Sequence, residues 1–358
     1  MLLSGYYGFG NLGDDALLAI IVAELRTRHP LAQIEVLSAE PALTAHALGV
    51  EAVPRADLAA VRAAIGRADV VLSGGGGLLQ NATSMRSLLY YAGIIRTAIR
   101  SGKPAMIFAQ SIGPLDFWGK QTVRECCKGL AAATVRDERS RALLAPLVSG
   151  VVVERTADPV FLYQPPIDYR PAGDDGFDGA PLAVVAPRKS AQQTEMIERL
   201  AAAADRLHET HGARIAFVAF GGAPDAEIAT AIIRKCRSRP MLLPFEDLDA
   251  IAAVVARAQL VIGVRLHALI LAARFGVPFL AVPYDPKVSA LCDELAYPLE
   301  PLFTPGERGR QSDPSSIVDR AWTERAVLAQ HLRERLGPMQ RLAGANFDAL
   351  DRLVRLTR

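Results

Sequence analysis

The segment "VIGVRLHALILAARFGVPFLAV", residues 261–282, is almost wholly apolar, yet it sets Arg265 and His267 two residues apart. A cation buried without a partner is costly, so a core-forming segment with two such groups must deliver them to a partner or to a surface. Gln259–Val264 reads as a strand, and Leu266, Leu269, Ile270 and Ala273 recur at helical spacing. Arg265 then falls at the carboxyl end of a strand and His267 in the first turn of a helix, whose dipole points the same way. Such a corner suits an anion. It also allows a plainer reading, a histidine satisfied within the core beside an ion-paired arginine. Lys287, in "YDPKVSAL", follows the next strand and is expected nearby. Arginine pairs with carboxylate or phosphate through two N–H groups, and histidine exchanges protons near neutrality.

Other polar groups also follow apolar runs, where α/β sheets bind their ligands. In "SGYYGFGNLGDDALL", residues 4–18, Gly8 and its neighbours permit close backbone approach, and Asn11 and Asp14 stand where a helix begins. The stretch fits neither G-x-G-x-x-G nor a phosphate loop closing on Gly-Lys-Ser/Thr. Asp14 and Asp15 read as helix caps or, less simply, as a metal pair; no metal is expected. "SGGGG", residues 73–77, sets Gly75 and Gly76 after another strand; four glycines are costly to order, which favours close approach of a ligand over a tight turn. "VRDERS" puts Arg136 after a short apolar run, open to an anion or to a surface ion pair with Asp137 or Glu138. "APRKS" puts Arg188 and Lys189 at another strand end, facing a phosphate or only solvent.

The elements that must position these residues alternate along the chain. Leu2–Ser4, Ile34–Ala39, Ala68–Gly77 and Pro104–Pro114 read as buried strands with helical patterns between them. "YQPPIDYRPAGDDGFDGAP", residues 163–181, is the expected linker, and the alternation resumes at Leu182–Pro187, Ala213–Gly222, Gln259–Val264 and Val277–Pro286. The halves resemble each other: "AAIGRADVVLSGGGG" parallels "AVVARAQLVIGVRLH", and "GKPAMIFAQSIGP" parallels "GVPFLAVPYDPK". Chance likeness between two α/β units is the bland alternative. The expected fold is α/β, with two Rossmann-like doubly wound domains facing a cleft: residues 1–164, residues 180–312, and a helical segment over 313–358. In that segment Asp313 caps a helix with Pro314 at its first position, and two apolar stripes flank Gly337-Pro338. Its arginines read as a solvated face or as a contact for anionic lipid headgroups.

Composition narrows the classes. Of 358 residues, 51% are hydrophobic and 22% charged, enough apolar material for two cores. A net charge of +2 gives no reason to expect nucleic acid. Four cysteines without a C-x-x-C pair argue against a disulfide framework or a zinc site, and with the start "MLLSGYYGFG" they read as a cytoplasmic protein. Mean hydropathy of +0.19 suits sheets covered on both faces. The longest apolar run is broken by Arg265, His267 and Arg274, so no membrane span is expected.

Taken together, "GYYGFGNLGDDALL", "ADVVLSGGGGLLQ", "FAQSIGPL", "VRDERS" and "VRLHALILAARFGVPFLAVPYDPKV" resemble the polysaccharide pyruvyl transferase family, and most closely its bacterial cell-wall (CsaB-type) branch. The resemblance implies a GT-B-like architecture. It implies transfer of a pyruvyl group from phosphoenolpyruvate, with no other cofactor, to a sugar that becomes a pyruvate ketal. In the cell-wall branch the acceptor is N-acetylmannosamine of a lipid-linked secondary cell-wall polymer precursor, of the kind that anchors surface layers, and peripheral contact with the inner membrane face follows. The family's donor-site arginine, histidine and lysine fall on Arg136, His267 and Lys287, with Arg265 a further donor ligand. A nucleotide-sugar glycosyltransferase would use the same fold, holding its nucleotide through Gly221–Asp225 and Glu246. A sugar-binding protein without catalysis is the third class.

Overall fold

The computed structural model describes residues 1–165, 179–244, 247–306 and 313–356. Contacts divide the chain into two units, Met1–Leu162 with Met339–Arg358, and Tyr163–Pro338. Most of the expected linker, residues 166–178, lies outside the described residues, as does Glu246.

The first unit alternates strand and helix: β1 (Leu2–Ser4), α1 (Leu12–Arg28), β2 (Glu35–Ser38), α2 (Pro41–Leu48), β3 (Glu51–Pro54), α3 (Leu58–Arg67), β4 (Val71–Gly76), α4 (Met85–Arg100), β5 (Ala105–Gln110), α5 (Phe117–Cys126), β6 (Ala132–Val135), α6 (Glu138–Leu144) and β7 (Val153–Arg155). All strands run parallel in the order β3-β2-β1-β4-β5-β6-β7. Every residue of β4 and β5 is buried, as required when helices cover both faces.

The second unit repeats the plan with β8 (Leu182–Ala186), α7 (Gln193–His211), β9 (Arg214–Phe217), α8 (Ala223–Ile233), β10 (Met241–Leu242), α9 (Leu248–Arg257), β11 (Leu260–Gly263), α10 (Leu266–Arg274), β12 (Phe279–Ala281), α11 (Pro286–Leu295) and α12 (Pro314–Thr323). Its order is β10-β9-β8-β11-β12, again parallel. The order of the first five strands of the first unit is the same. β4 corresponds to β11 and β5 to β12, the segments whose sequences match. The helix before each also ends alike: Ala68 (φ −71°, ψ 144°) and Ala258 (φ −68°, ψ 147°) leave the helix extended after an arginine.

α13 (Arg325–Leu356) is one helix, where the sequence suggested two parted at Gly337-Pro338. Pro338 removes a single N–H donor, and burial of Leu332, Met339 and Ala343 on either side holds the helix together. Residues 313–358 are thus divided between the units, from Met339 onward belonging to the first. There Asn346, fully buried, accepts from Thr156 Oγ1 (2.7 Å) and donates to the Ala157 carbonyl (2.8 Å). Asp313 and Pro314 open α12 as a cap and first position. Val327, assigned to an apolar stripe, is 69% exposed, while Leu328 and Leu332 are buried. All four cysteines are free thiols.

Candidate active site

In an open parallel sheet the loops diverge where the strand order reverses, which is between β1 and β4 in the first unit and between β8 and β11 in the second. In the second unit Ala186, Gly263 and Ala281 are register partners. The loops that leave β8, β11 and β12 therefore start side by side. Arg188 and Arg265 each stand two residues beyond those partners, and Lys287 lies in the first turn of α11.

Arg265 is the cap residue of α10 (φ −82°, ψ 125°), and His267 is the second residue of that helix. Apolar residues fix the corner: Leu266 and Ala268 through Ala273 are all buried. The Arg265 guanidinium is held by Asp225, Nε to Oδ2 and Nη2 to Oδ1, both at 2.6 Å. Asp225 is fully buried and also accepts from the Gly221 amide at 2.7 Å. A Cβ on Gly221 would collide with Arg265, so this glycine serves close packing. The plainer sequence reading, an ion-paired arginine, therefore describes Arg265. The Gly221–Asp225 loop, named as a nucleotide holder, is the arginine's clamp.

Arg188, partly exposed, donates to Tyr284 Oη at 2.5 Å, and its guanidinium lies 4.5 Å from that ring's centroid. The exposed Lys189 reaches Glu227 only at 3.8 Å. Lys287, its side chain 24% exposed, has Nζ 3.5 Å from Asp285, the cap of α11. The Ser190 hydroxyl, beside Arg188, is buried with no hydrogen-bond partner. The loops that leave this strand edge thus carry Arg188, His267 and Lys287 beside two helix starts, residue types suited to a small dianion. A cavity of about 430 Å³ in this unit, lined by Ala281, Ser289, Cys292, Asp293 and Tyr297, includes none of these three residues. Burial pushes the Cys292 thiol up to about 12, which keeps it protonated at neutral pH.

The first unit treats its edge differently. Tyr7 is buried over Gly5 and donates to the Gly74 carbonyl at 2.6 Å. Burial raises its phenol well beyond the ordinary range, so it stays protonated as a donor. Gly75 and Gly76 have φ of +67° and +76°. A Cβ on Gly75 would collide with the Leu17 side chain, and one on Gly76 would lie 2.8 Å from Asp14 Oδ1. The packing of α1 accounts for both glycines. Asn11 caps α1 by accepting from the Gly13 amide, and its side-chain amide donates to Asp14. Gly8 donates its amide to Asp15 Oδ1 at 3.1 Å. Tyr6 and Phe9, 40% and 44% exposed, stack 4.1 Å apart, with the Arg55 guanidinium 4.7 Å from the Phe9 ring.

Arg136 is 7% exposed and turned inward. It pairs with Asp158 and donates through Nε to Ser111 Oγ at 2.7 Å; Ser111 in turn donates to Asp137, the cap of α6, at 3.0 Å. The partner is thus Asp158, which sequence reasoning missed, because it lies 22 residues further along the chain. Gln110 was also unforeseen. A bulge in β5, with Ala109 at φ +50°, turns its amide onto Ser73, and its Oε1 has no hydrogen-bond partner.

Solved structures share this architecture. The chain is similar to Alr3699/HepE of Anabaena, solved with UDP and glucose, at 13% identity and a TM-score of 0.66 over 99% of each chain. It is similar to the S. aureus MnaA–UDP structure at 12% identity and 0.65, covering 92% of this chain and 90% of that one. It is similar to the UDP-GlcNAc 2-epimerase of Neisseria meningitidis at 8% and 0.63, over 98% and 100%. These likenesses establish a GT-B-type fold of two Rossmann-like units. No curated protein matches the chain significantly in sequence. The model of the polysaccharide pyruvyl transferase family matches residues 11–286, from the Asn11 cap of α1 to the first residue of α11; Arg136, Arg188, Arg265 and His267 lie inside that span and Lys287 just beyond it, and the chain belongs to this family.

Proposed function

We propose that the chain transfers the pyruvyl group of phosphoenolpyruvate to two hydroxyls of one sugar, forming a ketal and releasing phosphate. One observation supports this reading: in the second unit the loops that leave register-matched strands carry Arg188, His267 and Lys287, with His267 in the first turn of α10 and Lys287 in that of α11. Phosphoenolpyruvate presents a carboxylate and a phosphate on adjacent positions, and such an edge has donors for both. In the reaction one sugar hydroxyl adds to C2 while C3 gains a proton and becomes a methyl group. The C2–O bond to phosphate then breaks, the second hydroxyl bonds to C2, and its proton leaves with the phosphate. The proton taken from one hydroxyl balances the proton added at C3. His267 is our candidate for that transfer, and Lys287 and Arg188 for charge neutralisation on the departing phosphate. Arg265, clamped by Asp225, offers at most its remaining nitrogen, and we give it chiefly the task of shaping the corner. Arg136 is similarly committed to Asp158, so a direct contact with donor would require that pair to rearrange.

The acceptor we propose is N-acetylmannosamine of a lipid-linked cell-wall polymer precursor, which rests on the branch resemblance. The test is phosphate release and ketal formation with phosphoenolpyruvate and a short-chain lipid-mimicking N-acetylmannosaminyl acceptor. His267→Ala is expected to lower turnover by about 10²–10⁴-fold, and Lys287→Ala to raise the KM for phosphoenolpyruvate. Turnover by His267→Ala at the wild-type rate would remove the histidine from the chemistry. Thermal stabilisation by a UDP-sugar, with none by phosphoenolpyruvate, would favour the glycosyltransferase reading instead.

A further inference from the structure

The sequence offered the C-terminal helix as the contact for anionic lipid. In the structure several of its arginines have partners in the chain: Arg352 pairs with Glu154 and Arg333 donates to Gln330, both at the surface, while Arg335 donates to the Glu294 carbonyl. A different surface combines charge with exposed apolar rings. Phe117 and Trp118, 73% and 68% exposed, meet edge to face at 5.3 Å at the start of α5. Leu89 on the neighbouring α4 is 53% exposed. The loop before α4 is tied to the start of α5, because Asn81 Oδ1 accepts from the Asp116 amide at 3.1 Å. Residues 84–128 carry seven Lys and Arg against two acids, Asp116 and Glu125, whereas the whole chain nets only +2. The segment that presents the exposed rings thus carries an excess of five positive charges.

We propose that the α4–α5 tip docks on an anionic bilayer, with Phe117 and Trp118 entering the interface and Arg86, Lys120 and Arg124 meeting headgroup phosphates. Aromatic side chains with a wide apolar face partition to the headgroup level, and nearby cations add attraction that salt weakens. The surface commits to a bilayer because rings and unbalanced cations adjoin; a second copy of this chain would bring the same cations face to face.

The chain has two tryptophans, and the other, Trp322, is 7% exposed. In a Trp322→Phe background the emission of Trp118 should shift to the blue with vesicles of phosphatidylcholine and phosphatidylglycerol, and not with phosphatidylcholine alone. Co-sedimentation should be lost in Phe117→Ser/Trp118→Ser, and weakened by roughly fivefold for each cation neutralised in Lys120→Gln/Arg124→Gln. Equal thermal melts would show that these variants fold. Absence of vesicle binding, equal binding to neutral vesicles, or a concentration-dependent dimer abolished by Phe117→Ser/Trp118→Ser would each overturn the proposal. Vesicle binding needs no substrate, so its failure is separate from failure of the ketal-forming reaction.

Discussion

Gly75 and Arg265 occupy the same position in the two matching halves, and they do opposite things. Aligning "RADVVLSGGGG" with "RAQLVIGVRLH" sets Gly75 on Arg265 and Gly77 on His267. In the first unit the chain leaves its strand with positive φ and lets Leu17 of α1 close over the corner. In the second unit it leaves extended and places Arg265 at the cap of α10 and His267 in that helix's first turn. One fold position thus serves dense packing in one unit and a polar edge in the other. A glycine run after a strand is evidence of close approach, and here the approaching group belongs to the chain itself.

The strongest way to break this comparison is to separate Arg265 from Asp225. Arg265→Ala leaves a buried carboxylate without its bidentate partner, and unfolding by denaturant is expected to show a loss of about 3–5 kcal/mol. Arg265→Ala/Asp225→Ala should recover part of that loss, since it removes the orphaned charge. A single variant as stable as wild type would mean that the corner is not held by this pair.

Gly75→Ala comes next. A left-handed φ and the collision with Leu17 are expected together to remove about 2–4 kcal/mol, with Leu17→Ala relieving the collision in the double variant. Should Gly75→Ala keep its stability and lose only substrate binding, the glycines would serve a ligand and the contrast between the units would dissolve.

The smallest effect sharpens the first unit alone. Burial raises the Asp15 carboxyl above its ordinary range, with the Gly8 amide offsetting part of the rise. Its contribution to stability is present below the unfolded carboxylate pKa and is lost as pH rises through the higher folded value. Asp15→Asn should therefore gain thermal stability relative to wild type at neutral pH, with the gap closing in acid. The dipole of α1 favours the charge and keeps the gain small. Parallel melting curves at every pH would contradict it.

Much of the fold was legible because it rests on local pattern. Buried strands such as β8 and β11 are continuous apolar runs, β5 is one up to Gln110, and their helices carry periodic leucines and valines. β3, β7 and β10 were not foreseen. They lie at sheet edges, are short, and fully bury one residue or none, so no apolar run announces them. The corner at Arg265 and His267 was read in place, since it needs only a strand end and a helix start.

By itself the sequence determined that there are two parallel α/β units, that their halves correspond, and that Arg188, Arg265, His267 and Lys287 follow strand ends. Only the tertiary structure decided what those groups touch. Arg136 meets Asp158, Arg265 meets Asp225, and Gly75 meets Leu17 across separations of 22, 40 and 58 residues. Periodicity reports which way a side chain points relative to its own element. Which carboxylate or methyl group waits there is set by strand order and register, and these pair segments that are remote in the chain.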